Sequence, residues 1–307
     1  MKIVTLTLNP AFDLHCEAED LRLYHENFVR PLSCEAGGKG VNLSRALLAG
    51  GVDSLCVLLT GKDNEAEYLA ALKRDGLTLR SLCVEGRIRE NYTFHEKGRP
   101  ETRISFPGFA VSPAILNKVA EAIGSPELLT FTGSAPKGIG PEEAKGFLRR
   151  VREQGTRLVV DSRLFDRRDL GELKPWLVKP NRDEASLYQG RSIQSPADAL
   201  AFARSLHESG VENAMVSLGG EGAVLFCSRG AFHAKGPAIT PLSTIGAGDS
   251  TLAGFLAASV QGLPPEECLR RAVAFGCAAC LTEGSRPPQR DAVSAMEKTV
   301  SLCALKA

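Results

Sequence analysis

From Pro107-Gly108 onward, stretches of helical and strand character alternate, and this alternation limits the possible folds more than any other feature of the sequence. The pattern predicts a helix over 112–123, a strand Leu128–Thr132, a helix over 141–153 and a strand Arg157–Asp161. It continues with strand Trp176–Val178, a helix over 196–207 and strand Ala214–Leu218. Upstream, residues 2–9 read as a buried strand and a helix ends at Gly50-Gly51. Strand Asp53–Thr60, a helix to about Arg74 and strand Thr78–Val84 follow. Helices over 248–261 and 265–282 and an amphipathic helix from about 288 are expected to close the chain. Such alternation implies an α/β fold, a mostly parallel doubly wound sheet flanked by helices on both faces.

Two segments depart from the pattern. Asn91–His95 and Glu101–Phe106, joined through a turn containing Gly98, carry a hairpin signature. Residues 14–36 are short and mixed. Two-stranded pieces rarely stand alone, so the two segments are expected to pair as a small β-sheet projecting from the main body. No linker or repeat divides the chain, and a single domain over 1–307 is expected, with the small sheet drawn from about 12–36 and 86–106.

Composition excludes several classes of function. A formal net charge of +1 gives no general case for nucleic acid or an anionic membrane. No apolar run reaches the ~18 residues of a membrane span. The first residues alternate like a strand and lack a signal peptide's apolar run and cleavage site. Nine scattered cysteines fit reduced thiols and a cytoplasmic location. Cys277 and Cys280 form a lone CxxC in an apolar helix pattern and read as small core residues, since a metal site would need a second pair.

Ser243–Thr251 concentrates the chemistry. Gly246, Ala247 and Gly248 leave backbone amides uncovered, Asp249 follows at once, and a helix of small and apolar residues begins there. Bare amides at a helix N-terminus suit an anion. A carboxylate beside that anion would repel it, so it suits a base that deprotonates a nucleophile facing a phosphoryl group. Asp249 can equally be an N-cap on a core helix, and these residues alone leave both readings open. Gly37-Gly38-Lys39-Gly40-Val41-Asn42 opens another helix, with Lys39 and Asn42 in its first turn. Neither a GxxxxGKS/T phosphate loop nor a GxGxxG dinucleotide turn is present. Asp13, Gly133, Asp161, Asn181 and Gly219 all follow predicted strands, and in an open α/β sheet they would gather on the carboxyl-end rim, where ligands bind.

Taken together, these motifs resemble the ribokinase-like (PfkB) sugar kinase family over nearly the whole chain. The resemblance rests on Asn9–Asp13, Gly37–Asn42, Gly133–Pro136, Val178–Glu184, Val216–Ala223 and Ser243–Ser250. Leu59–Asn64, Pro107–Pro113 and Pro175–Asn181 are similar to the sugar-phosphate branch, that of 1-phosphofructokinases and, close by, tagatose-6-phosphate kinases. The resemblance implies an ATP-dependent kinase acting on the primary hydroxyl of a ketohexose phosphate, with fructose 1-phosphate becoming fructose 1,6-bisphosphate. Tagatose 6-phosphate and fructose 6-phosphate are the alternative substrates, and a non-catalytic sugar- or nucleotide-binding regulator on the same scaffold is the alternative of another class.

By resemblance, Asp249 is the catalytic base, and the amides of Gly246, Ala247 and Gly248 form the anion hole. Asn181 and Glu184 would organise Mg2+ through its waters, though a capping box explains the same pair. Lys179, Ser217, Gly219 and Gly222 match the nucleotide-phosphate side, and Ala274–Ala278 a wall of the adenine pocket. Asp13, Gly38, Lys39 and Asn42 match the sugar side, and Arg89 and Asn91 the residues that grip the phosphate already on the substrate. The small sheet would act as a lid and pair between subunits, giving a homodimer. Two departures stand out. The hairpin reads Ile88-Arg89-Glu90-Asn91-Tyr92-Thr93 where the branch usually has Thr-Arg-Ile-Asn-Val-Lys. Ser162-Arg163 replaces two small residues after Asp161, with Arg163 expected to face solvent.

Overall fold

The computed structural model of the protein describes residues 2–306. The main sheet takes its first strand from Ile3–Thr7 (β1), with β4 at Leu55–Gly61 and β5 at Thr78–Val84. The smaller sheet comes from β2 (Ala11–Ala18), β3 (Arg30–Gly37), β6 (Arg89–Glu96) and β7 (Thr102–Ser105). The first two helices are α1 (Lys39–Ala49) and α2 (Glu65–Lys73). Then follow α3 (Ile115–Ile123), β8 (Leu128–Thr132), α4 (Pro141–Glu153), β9 (Arg157–Asp161), α5 (Arg167–Leu173) and β10 (Leu177–Val178). The remainder runs α6 (Arg182–Gln189), α7 (Pro196–Glu208), β11 (Asn213–Ser217), β12 (Ala223–Cys227), β13 (Gly230–Lys235), α8 (Ala247–Val260), α9 (Pro265–Ala279), α10 (Arg290–Thr299) and β14 (Ser301–Leu305).

The main sheet has the order β14-β13-β12-β11-β10-β9-β8-β1-β4-β5. From β11 to β5 the neighbours are parallel, and β12, β13 and β14 are added antiparallel. The mostly parallel doubly wound sheet is therefore observed. Its central strands are mostly apolar and fully covered: β1 is buried at every residue, threonines included, and β8 likewise. That is the signature of strands covered on both faces. Successive side chains divide between the faces. Ile3, Leu128 and Val159 pack with α1, α8 and α9, and Val4, Leu129 and Val160 with α2 through α7.

Three expectations are corrected. The chain does not close on a helix, because β14 follows α10 and pairs with β13. The antiparallel edge was not legible, since after Ser217 the 3-10 turn Gly219–Glu221 reverses the chain directly into β12. Helix α5 is short and was missed, although Asp166 and Asp169 form its capping box. The smaller sheet pairs as expected, in the order β3-β2-β6-β7, with β2 and β6 parallel in register Ala11↔Arg89 and Asp13↔Asn91. It begins at Ala11, so Asp13 lies within a strand of this sheet and not in a turn at the end of β1.

Helix α8 is apolar around its circumference, and Asp249 through Ala258 are all buried. A helix of that kind must be covered on all sides, and α1, α9 and the sheet cover it. Close approach to α9 depends on Gly254, where a Cβ would come 2.7 Å from the Arg271 carbonyl oxygen and 2.9 Å from Phe275. Gly254→Ala is expected to cost about 1–3 kcal/mol by overpacking. Gly146→Ala, in α4 with nothing within 4 Å of the added Cβ, should stabilise by up to about 1 kcal/mol through helix propensity. Urea unfolding of the two variants checks the contrast.

Candidate active site

The rim at the carboxyl ends of β8, β9, β10 and β11 collects Gly133, Asp161, Asn181 and Gly219, each at or just beyond its strand. Helices α1 and α8 begin over the same rim, bringing Lys39, Asn42 and Asp249 to it. Tight contacts to the sheet explain the glycines before α1. A Cβ at Gly40 would lie 2.6 Å from the Leu6 carbonyl oxygen, and Gly38 adopts φ 136° with its Cβ position 2.7 Å from Thr7 Cγ2. These glycines are therefore required by helix-on-strand packing, independently of any ligand.

Asp161 anchors the charges. Its carboxylate is buried, with Lys39 Nζ 3.2 Å from Oδ1 and Lys179 Nζ 3.3 Å from Oδ2. Burial alone would raise its pKa, but the two ammoniums outweigh burial and hold it below the ordinary carboxylate value. Burial likewise works against the charge of Lys39, and Asp161, Asp249 and Glu184 overcome it to raise that pKa. Lys179 is 2% exposed, and its Nζ would lie 3.4 Å from a Cβ at Gly248. An ammonium thus sits directly beneath the first turn of α8.

That turn is shaped as the sequence implied. Gly246 is the N-cap, at φ 75°. First-turn amides have no partner inside their own helix, and Ala247 N makes only a 3.4 Å contact to Thr244 O. Asp249 is 7% exposed and does not cap α8. Its Oδ2 accepts a 3.2 Å hydrogen bond from Asn42 Nδ2. Burial pushes its pKa up to about 6; Lys39, Lys179 and the Asn42 hydrogen bond oppose the rise, and Asp161 adds to it. A carboxylate so poised can take a proton near neutral pH, and the amides beside it can hold an anion.

Between the rim and the smaller sheet lies a second polar group. Asp13 Oδ1 accepts from Asn91 Nδ2 at 2.8 Å and from Arg103 Nη2 at 2.9 Å. Arg89 Nη2 makes only long contacts, 3.3 Å to Asn9 O and 3.5 Å to Ser134 Oγ. Burial lowers the Arg89 pKa, Asp13 counters it, and Arg103 adds to the fall. Arg89 Nε, Asn9 Oδ1 and Asn91 Oδ1 are buried without a hydrogen-bond partner. Unsatisfied donors on a half-buried guanidinium suit an incoming anion.

On the far side, Asn181 caps α6. Its Oδ1 accepts from Glu184 N at 2.8 Å, and Glu184 Oε2 accepts from Asn181 N at 3.0 Å, forming a capping box. Arg163 is largely exposed, yet it does not simply face solvent, because its Nε donates to Glu184 Oε1 at 2.9 Å. Ser217 bridges to Asn181, and Gly219 and Gly222 shape the turn into β12. Ala274, Phe275, Gly276 and Ala278 are buried in helix packing, while Cys277 and Cys280 are half-buried, Cys277 packing against the core. Among the described residues no three His, Cys, Asp or Glu side chains are placed to hold a metal. Glu184 retains free lone pairs, so the site fits an ion that keeps most of its waters and binds through them, as Mg2+ does.

Sequence reasoning missed the bridging of Asp161 between two lysines, the hold of Arg103 on Asp13, and the contact of Arg163 with Glu184. All three join segments far apart in the chain.

These features define a doubly wound α/β protein with an uncapped helix N-terminus, a buried carboxylate of raised pKa and a separate guanidinium, all at one rim. The chain belongs to the pfkB family of carbohydrate kinases, whose description matches residues 11–292. It is similar to the 1-phosphofructokinase of Escherichia coli K12, 31% identical over 305 residues and 98% of each chain. The 1-phosphofructokinase of Bacillus subtilis is 30% identical over 284 residues, covering 92% of this chain and 93% of that one. Phosphofructokinase-2 from Escherichia coli, solved in complex with substrates and products, superposes with a TM-score of 0.89 at 26% identity, covering 97% of this chain and 99% of that one. No helix among the described residues is long and apolar enough to cross a membrane.

Asp161→Asn would leave two ammoniums without their carboxylate. It is expected to destabilise the fold by about 3–5 kcal/mol. It should also lower the pKa of Asp249, because a negative neighbour is lost and two cations are released toward it. Urea unfolding and 13C carboxylate titration of Asp249 measure the two effects.

Proposed function

We infer that this protein transfers a phosphoryl group from ATP to the primary hydroxyl of a ketohexose phosphate, converting fructose 1-phosphate to fructose 1,6-bisphosphate. The observation that carries this reading is Asp249, a buried carboxylate with a pKa near neutrality beside the open amides of α8. A protein that only bound sugar or nucleotide would gain nothing from a carboxylate facing an anion. Asp249 removes the hydroxyl proton, and the amides of Gly246, Ala247 and Gly248, with the Lys179 ammonium beneath them, stabilise charge on the transferring group. Asp13 accepts from sugar hydroxyls, with Gly38, Lys39 and Asn42 around them. Arg89 and Asn91 hold the phosphate already present on the substrate. Lys179, Ser217, Gly219 and Gly222 border the nucleotide phosphates. Asn181 and Glu184 would hold Mg2+ through water, and the ion would supply charge neutralisation at those phosphates. The similarity to two 1-phosphofructokinases supports fructose 1-phosphate over tagatose 6-phosphate and fructose 6-phosphate.

The smaller sheet closes over the sugar as a lid and excludes water as a competing acceptor. Its outer residues Leu32, Ile104 and Phe106 are about half exposed, and Phe28 is more so. Exposed apolar side chains of this kind suit a second copy of the chain, so a homodimer through the lid is part of this reading. Phe106→Asp is expected to shift the protein to monomer in sedimentation velocity, and an unchanged dimer would remove the lid from the interface.

ADP release with ATP-Mg2+ and a panel of fructose 1-phosphate, fructose 6-phosphate, tagatose 6-phosphate, fructose and ribose tests the reaction. Turnover on none of them would overturn it. Because the ionised carboxylate is the base, kcat should hold above pH 6 and fall as pH drops through about 6. Asp249→Asn should lower kcat by roughly 10²–10⁴-fold or more while leaving nucleotide binding intact. Arg89→Ala should raise KM for the sugar phosphate by about 10–100-fold, the loss of a charge-assisted hydrogen bond, with little change for ATP.

A further inference from the structure

Asn42 does more than border the sugar. Its side chain is buried, and both ends of its amide are committed: Nδ2 donates to Asp249 Oδ2 at 3.2 Å, and Oδ1 accepts from Arg45 Nη1 at 3.2 Å. Arg45 is held in turn by Asp75, whose Oδ2 accepts from Nε at 2.8 Å and lies 2.7 Å from Nη2. The Arg45 side chain is 11% exposed and that of Asp75 is 27% exposed. A hydrogen-bonded chain, Asp75–Arg45–Asn42–Asp249, therefore runs from the turn after α2, along α1, to the first turn of α8. Asn42 and Arg45 are three residues apart on α1 and share a face.

A guanidinium can only donate. With Arg45 in place, the amide must present Oδ1 to it and Nδ2 to Asp249. Without that donor the amide is free to turn over. A carbonyl oxygen facing Asp249 would repel the carboxylate and accept a hydrogen bond from the protonated acid, favouring the wrong form of a base. We propose that Arg45 is a positioning residue for Asp249: pinned by Asp75, it fixes the orientation of the Asn42 amide and so keeps a donor aimed at the carboxylate.

The charged groups facing Asp249 are Lys39 on α1, Asp161 at the end of β9 and Lys179 beyond β10. Those near Arg45 are Asp75, with the Cys56 thiol on β4 and the Tyr68 phenol on α2, both kept neutral by burial. Of these groups, Asp75 is the one hydrogen-bonded and ion-paired to Arg45, so changing Arg45 or Asp75 acts on the relay.

The inference rests on Asp249 acting as the base, and the test separates the two. In the sugar-free protein, 13C carboxylate titration follows Asp249 without turnover. Arg45→Met, which keeps the bulk of the side chain, should move that titration upward by roughly one pH unit, and the acid limb of kcat should move with it. Asp75→Asn, at a partly exposed site, should move both in the same direction by less, and it serves if Arg45→Met fails to fold. Arg45→Lys retains a donor for Asn42 Oδ1 and should restore most of the wild-type titration. Loss of thermal stability in Arg45→Met and Asp75→Asn with the Asp249 titration unmoved would overturn the proposal and leave Arg45 as a staple between α1 and the turn after α2. Full turnover in Asp249→Asn would instead remove Asp249 as the base, with the titration shift still standing.

Discussion

The site depends on one buried carboxylate that does no chemistry. Asp161 lies between Lys39 and Lys179, and it is the counter-charge of the buried Lys179 ammonium, while the Lys39 side chain is 37% exposed. An unpaired buried charge costs several kcal/mol, whereas a bridged cluster is tolerable. The cluster also sets the field at Asp249. Two cations beside it partly offset the burial that raises its pKa, which ends at about 6. A drier or less cationic position would leave Asp249 protonated. A fully solvated one would leave it a weak base.

The second constraint is steric. Asp249 is brought to the rim by a helix buried on every side, and such a helix has no freedom to adjust. Gly254 lets α9 approach from one side, and Gly40 lets α1 seat on β1. With α1 and α8 both held against the sheet, Asn42 reaches Asp249 across 207 positions of sequence. The residues that position Asp249 are thus part of the core packing. The smaller sheet is joined to the body both by apolar packing, with Phe12 edge-on to Tyr68 and Ala36 in the main core, and by polar side chains around Asp13 and Arg89.

Much was legible in the sequence because the signals were local. The central strands are runs of apolar residues with helices between them, and strand ends were marked by Gly133, Asp161, Asn181 and Gly219. The helix opening at Gly246 was marked by small residues followed by Asp249. The antiparallel edge was not legible. A three-residue turn after Ser217 sends the chain back along the sheet, and β14 pairs with β13 across 66 residues and more. Local propensity carries no information about such pairing. Glycine was also ambiguous: Gly38 matched the sugar side by resemblance, and the structure shows Gly38 and Gly40 closely packed on the end of β1.

By itself, then, the sequence determined the layered α/β architecture, the rim on which polar residues gather, and the identities of the groups at the helix termini. These follow from periodicity and from the chemistry of single residues. Only the tertiary structure decided which charges neutralise one another and which remain poised. Arg163 turned from solvent to Glu184, Arg103 took hold of Asp13, and Arg45 reached Asp249 through Asn42. The reason is physical. A residue's protonation and orientation depend on burial and on partners within a few ångströms, and folding brings those partners from positions that sequence distance does not foretell.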